Sequence, residues 1–250
     1  MDKQSPKART RQRILEEAAR VMRESGTESI GVAALMKRVG LTHGGFYAHF
    51  DSREALVEAV IAEMFTDSAQ RMKSLWQQPD PAERLSALID YYLSETHRDC
   101  RAEGCPVPAL VSEVSHLPDE AKAIFTQGVS SMLKRLSELL TELGHRDAET
   151  LASSLLAEMV GALALARACP DKTLSAAMLA RSRQAIMQRT GREQAACVST
   201  TLPTSSPPVS TCCSAALIPA TRRHTPAITS RIPATASGRC SIWPALLTSS

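Results

Sequence analysis

From about Ala8 to Arg192, apolar side chains recur at spacings of three and four, good helix formers fill the gaps, and no alternating β-branched run interrupts them. A chain patterned this way has no strand to build a sheet from, so the expected class is all-α. Ile14, Leu15, Ala18, Ala19 and Met22 fall on one face of a first helix, which Thr10 is placed to cap and Gly26 to close. A second, short helix spans roughly Val32 to Val39 and stops at Gly40, and a third runs from about His43 to His49. Ser52 opens a fourth that reaches about Gln77, where Pro79 and Pro81 end it. Five more are expected near 82–97, 107–115, 119–143, 147–168 and 172–190, which makes nine.

Charge is distributed unevenly. The formal net charge of the 250 residues is +3. Lys3, Lys7, Arg9, Arg11 and Arg13 stand against a single Asp2 at the start, and Arg222, Arg223, Arg231 and Arg239 occur in a terminal stretch without Asp or Glu, so the body between is acidic. A basic leading segment, with residues 1–6 as an arm, on an acidic body points to a polyanionic partner at that end. No run of eighteen residues is continuously apolar, and the N-terminus lacks the apolar centre of a secretory signal. The expectation is a cytoplasmic protein with no membrane association. Seven cysteines in irregular positions predict no disulfide framework, and the histidines lack ligand spacing, so neither a metal nor a cofactor is expected.

The stretch from Ser29 to Leu56 carries the most information. Two short helices meet at a tight turn around Gly40, where glycine takes a positive φ cheaply, and this is helix-turn-helix geometry. Val32, Leu35, Met36 and Val39 can face inward from the second helix, to meet Phe46 and Phe50 from the third. Thr42, His43, Gly44, Tyr47 and His49 are then left on the other faces. Small, hydroxyl and imidazole groups there suit a helix laid in a DNA major groove. Gly44-Gly45 costs helix stability, about 1 kcal/mol per residue relative to Ala, which a close approach to a partner would justify.

These residues, Gly26, Val32, Leu35, the run Gly40-Leu-Thr-His-Gly-Gly-Phe-Tyr-Ala-His-Phe50 and Ser52-Arg-Glu-Ala-Leu56, resemble the N-terminal domain of TetR-type bacterial transcriptional regulators. The resemblance implies a DNA-binding domain over 7–67, with its motif at about 30–49, and a helical regulatory and dimerisation domain over 68–192. It implies a homodimer on a palindromic operator of double-stranded DNA, and a repressor released by a small-molecule effector or by thiol modification. By position, Thr42, His43, Gly44, Gly45, Tyr47 and His49 match the recognition-helix contacts, with Tyr47 at phosphate. Arg53 matches the family's basic position at the start of the fourth helix, and Arg9 and Arg13 are the arm's candidates for groove or phosphate. Gly31 departs from the usual Ser or Thr before the second helix, so a hydroxyl cap is missing there.

The helix over 147–168 is apolar nearly all round and carries small residues at Ala157, Gly161, Ala164 and Ala168. Burial on every side, against a symmetry mate or within the chain, is what such a surface requires. Phe65, Trp76, Leu88, Tyr91, Tyr92, Phe125 and Met132 are candidates for an effector pocket, although residues of these types at helical spacing also serve as plain core. Cys105 precedes a Pro-started helix whose dipole would favour thiolate, and a Gly-Cys here resembles TetR-type regulators that sense oxidants or electrophiles, with Cys100 as resolving thiol. A small buried core residue is the plainer reading of Cys105. Two rival functions remain open from the sequence: a thiol-dependent enzyme using Cys105 with His97 or His116 as base, and a helical adaptor that binds protein.

Beyond Glu193 the composition changes. Residues 195–250 hold 7 of the 14 prolines and 19 Ser or Thr, with no acidic residue. Residues 193–250 are read as a disordered Pro/Ser/Thr-rich tail, or as an unselected or frame-shifted extension.

Overall fold

The structure is a computed structural model that describes residues 5–191. The first four residues of the expected arm and the expected tail therefore lie outside the described residues. Within them there is helix and no strand.

Helix α1 (Pro6–Ser25) begins five residues earlier than a cap at Thr10 would place it. The Ser5 hydroxyl accepts from the Ala8 N–H at 3.2 Å, and Pro6 occupies the first turn, where its missing N–H costs nothing. Lys7 to Arg13 are thus helical. Gly26, at φ +83°, closes α1, and a 3-10 turn over Thr27–Ser29 leads to α2 (Val32–Arg38). Gly31 caps α2 with no side-chain hydrogen bond, as its lack of a hydroxyl requires. Gly40 takes φ +73°, and the segment His43–Ala48 is 3-10, not the α-helix expected there. The Gly44-Gly45 pair weakens α propensity, and the run is only six residues long, so i→i+3 bonding suffices.

Helix α3 (Arg53–Arg71) is capped by Ser52, whose hydroxyl accepts from the Ala55 N–H at 3.1 Å. The expected fourth helix breaks at Met72 into α3 and a single turn, α4 (Lys73–Trp76). The expected fifth also divides, into α5 (Pro81–Tyr92) and α6 (Glu95–Asp99), because Ser94 starts a new cap on the His97 N–H. A 3-10 turn over Arg101–Glu103 precedes α7 (Val107–Val114), followed by α8 (Asp119–Glu142), α9 (Ala148–Ala168) and α10 (Lys172–Thr190). Among the described residues, ten α-helices and three 3-10 segments thus stand where nine helices were expected.

The core runs continuously from α1 through α10. Helix α3 packs against both α1 and α8. Arg23 of α1, almost fully buried, ties these parts together: it donates to the Met64 carbonyl at 3.1 Å, to Asp67 at 2.8 Å and to the Ala102 carbonyl at 3.3 Å. Arg71 adds Asp67 and Glu103 to the same junction.

Helix α9 packs against α6, α7, α8 and α10. It is the one helix among the described residues long and apolar enough to cross a membrane by length and composition, yet Glu149, Glu158 and Arg167 interrupt it. About 39% of its most apolar window is buried within the chain, and Leu165 is 64% exposed.

Candidate nucleic-acid interface

Phe46 and Phe50 turn inward, as their spacing requires, and stack at 5.6 Å between centroids. Tyr47, the next residue along, must then point away: it is 63% exposed, with its ring held edge-on to Phe46 at 5.3 Å and to His43 at 6.1 Å. Thr42, His43 and Gly44 are exposed beside it. A buried aromatic floor therefore carries a solvent-facing surface of hydroxyl, imidazole and phenol groups. That set donates and accepts hydrogen bonds toward base edges and phosphates alike.

The two glycines separate. A Cβ on Gly44 would meet nothing within 4 Å among the described residues, so packing within the chain does not require glycine there. Gly45 is half-buried and faces the Thr42 hydroxyl and the Met36 methyl at ordinary contact distance. His49 is also half-buried, and its Nδ1 is buried with no hydrogen-bond partner among the described residues.

Of the basic candidates, Arg9 is exposed on α1. Arg13 donates to the Val39 carbonyl at 2.9 Å, where the positive charge meets the negative end of α2. Arg53 donates to the Thr27 carbonyl at 3.0 Å and the Ile30 carbonyl at 3.4 Å and pairs with Glu28 at 3.4 Å, so it braces the turn ahead of α2. Arg11 was not singled out from the sequence; its guanidinium lies 4.8 Å from the Phe50 ring centroid, a cation–π contact.

Sequence reasoning also missed Glu113. Its carboxylate, from α7, accepts from the Thr27 N–H and hydroxyl and fills the space beside Gly26 that a Cβ would need. The 86 residues between the partners leave no local spacing to betray the contact. Two elements distant in sequence thus hold the turn that enters the helix-turn-helix.

The expected effector residues disperse. Phe65 packs edge-on to Phe125 at 5.6 Å; Leu88 and Tyr92 are buried core; Tyr91 stacks on His97 at 5.2 Å; Met132 is half-buried. Trp76 lines a cavity of about 610 Å³ among α3, α4, α5 and α8, whose other walls are mostly the long polar side chains that sequence reasoning passed over. Of the candidate aromatics, Tyr92 and Phe125 are buried, and Phe65, Trp76 and Tyr91 are half-buried.

Cys105 is a free, buried thiol. Burial pushes its pKa up, opposite to the thiolate expected from the following helix. Cys100, also buried, is not joined to it. His97 accepts the Cys105 N–H at its Nε2, 3.0 Å away, and donates from Nδ1 to the Tyr92 carbonyl at 2.8 Å. This arrangement holds the imidazole in one neutral tautomer, with its pKa lowered to about 4 chiefly by burial. Both ring nitrogens are occupied by backbone, which leaves neither to act as base toward the thiol or as a metal ligand. Arg167 donates to the His97 carbonyl at 2.8 Å and, with His97, occupies the space beside Gly104.

Residues 14–60 match the family model of bacterial regulatory proteins of the TetR family, and residues 81–182 match the tetracycline-repressor-like C-terminal domain. The chain is 25% identical over 134 residues to the transcriptional repressor NemR of Escherichia coli K12, spanning 52% of this chain and 67% of that one. It is 28% identical over 134 residues to the regulator UidR of the same strain, spanning 53% and 61%. Among solved structures, the reduced form of E. coli NemR aligns at TM-score 0.64 and 22% identity, covering 72% of this chain and 96% of that one. A TetR-family regulator from Cytophaga hutchinsonii aligns at 0.66 and 20%, covering 75% and 98%. An exposed polar surface on an aromatic floor, a helical body behind it and two family models matched in order make one case: the chain belongs to the TetR family and is a DNA-binding transcriptional regulator.

Proposed function

We propose that the protein is a cytoplasmic, homodimeric repressor that binds a palindromic operator and leaves it when an effector binds or when Cys105 is modified. The observation that carries this reading is the surface of Thr42, His43, Gly44 and Tyr47, exposed on the rigid support of Phe46 and Phe50. Residues 7–67 form the DNA-binding domain and 68–192 the regulatory one, with α3 continuous across the boundary. Tyr47 and Arg9 contact phosphate, while Thr42, His43 and Gly44 approach base edges. Gly45, His49, Arg13 and Arg53 act one layer back, by keeping the recognition segment in place. Helices α9 and α10 supply the dimer interface, which the exposure of Leu165, Leu174 and Met187 supports. Two such subunits set their recognition segments about 34–36 Å apart, one turn of DNA.

Release is a population shift between dimer geometries with different operator affinity. An effector achieves it by occupying the cavity beside Trp76. Alkylation or oxidation of Cys105 achieves it by adding atoms to a filled core at the entry to α7, the helix that carries Glu113. Because the thiol is buried and its pKa raised, modification is slow unless the loop opens.

Fluorescence anisotropy on duplexes flanking the protein's own gene tests the reading. Tight, competitor-resistant binding that Tyr47→Ala abolishes is the expected result. Absence of specific binding by a folded dimer across a broad promoter panel would refute it. Cys105→Ser should remove any release caused by oxidant; unchanged release would exclude the thiol route and leave the cavity.

A further inference from the structure

The cavity among α3, α4, α5 and α8 carries an unbalanced set of charges. Lys73, Arg84 and Arg135 line it against Glu138 and Glu142. Arg84 is committed to Glu142 at 2.6 Å, yet its Nε is buried and has no hydrogen-bond partner among the described residues. A buried donor left in this way invites an acceptor from outside the chain. Lys73 and Arg135 form no ion pair among the described residues, and Glu138 reaches only Lys134, at 4.0 Å. Two exposed cations without an ion pair among the described residues, and a part-buried guanidinium with a spare donor, therefore border a space that also holds the exposed Glu138.

The remaining walls mix the polar Thr66, Gln70 and Gln77 with Ala69, Trp76 and Leu139. Trp76 is half-buried at the edge, and Leu139 is buried beneath. A volume of about 610 Å³ falls within the range of about 300–1,000 Å³ found for small-molecule sites. A single negative charge would be drawn to Lys73, Arg84 and Arg135, while a planar or aliphatic body would cover Trp76 and Leu139.

We propose that this cavity binds a small organic anion, a carboxylate on an apolar body, and that such an anion is the effector. The proposal rests on the reading of the chain as an effector-controlled repressor. A neutral hydrophobe without an acceptor would leave the Arg84 Nε unpaired, and a multiply charged phosphate would meet more repulsion from Glu138 and Glu142 than a single carboxylate does.

The test uses the full-length chain with Trp243→Phe, so that Trp76 is the one tryptophan. 2-Naphthoate, indole-3-acetate and decanoate, each beside its neutral amide, are titrated by calorimetry and by quenching of Trp76 fluorescence. The expected result is one molecule bound per chain for at least one acid. Its affinity should exceed that of its amide by tenfold or more, and operator affinity should fall when it binds. The double variant Lys73→Gln/Arg135→Gln should lose the preference for acid over amide while keeping its melting temperature and its operator affinity without ligand. Four results would each overturn the proposal: equal binding of acid and amide, a preference that survives in the double variant, binding that leaves operator affinity unchanged, or no binding by any of the acids at millimolar concentration. In all four the ligand-free chain still binds its operator. Failure of that binding would instead strike the repressor reading.

Discussion

The Glu113 carboxylate accepts two hydrogen bonds from one residue, the Thr27 N–H at 2.6 Å and the Thr27 hydroxyl at 2.7 Å, and so joins α7 to the turn that enters the helix-turn-helix. Arg53 holds the carbonyl side of the same turn. Removing the carboxylate leaves a nearly fully buried Thr27 without its acceptor, at a cost of about 1–3 kcal/mol. Glu113→Ala should therefore lower the melting temperature and speed amide exchange at Thr27, and it should weaken operator binding although the residue lies far from the recognition surface in sequence. Glu113→Gln keeps an acceptor and should fall between. Exchange at Thr27 unchanged in Glu113→Ala would show that the bond holds nothing.

Tyr47 and Phe46 are neighbours with opposite duties. Tyr47→Ala should leave thermal stability within about 0.5 kcal/mol, as exposed substitutions do, and abolish specific operator binding. Phe46→Ala removes a ring that is 1% exposed and should cost about 3–5 kcal/mol, enough to melt the DNA-binding end. Parallel thermal melts and anisotropy titrations separate the two effects.

His97 makes stability depend on pH in a defined window. Its folded pKa of about 4 lies below the ordinary 6.5, so between these values the unfolded chain binds a proton that the folded chain refuses. Stability should fall as pH drops from about 6.5 to about 4, by up to roughly 3 kcal/mol, and this contribution should level off below. In His97→Gln the slope of melting temperature over that window should flatten, whatever the variant's stability at neutral pH. An equal slope in both proteins would assign the acid sensitivity to other groups.

On α9, Leu165 is 64% exposed in the single chain. Leu165→Arg should convert the dimer into folded monomer by sedimentation velocity, with helicity retained and operator affinity reduced at least tenfold. A dimer that survives this substitution would place the interface elsewhere.

The helical pattern was legible because helix periodicity is local: the inward turn of Phe46 and Phe50, and with it the exposure of Tyr47, follow from spacing alone. The 3-10 character of His43–Ala48 was not legible, since a run so short takes its form from what it packs on. Thr10 was preferred as a cap because the apolar face starts late, whereas Ser5 and Pro6 set the true start. Size and aromaticity mark core as well as pocket: Phe125 and Tyr92 are buried, Phe65 and Trp76 half-buried, and the spacing of Lys73, Arg84 and Arg135 in the sequence does not show that they border one cavity. Cys105 is buried, as the plainer of its two sequence readings has it; the dipole argument for a thiolate is local, whereas burial, which raises the pKa, is set by the whole fold.

Helix α3 is unbroken from Arg53, which braces the turn before α2, to Arg71, next to the cavity beside Lys73. Nineteen residues make a rod about 28 Å long. Tilting such a rod by about 5° about one end displaces the other by about 2.5 Å. That travel is comparable to the 3.0 Å separating Arg53 from the Thr27 carbonyl, so a lever of this length turns a small rotation into the making or breaking of a hydrogen bond at the DNA-binding end.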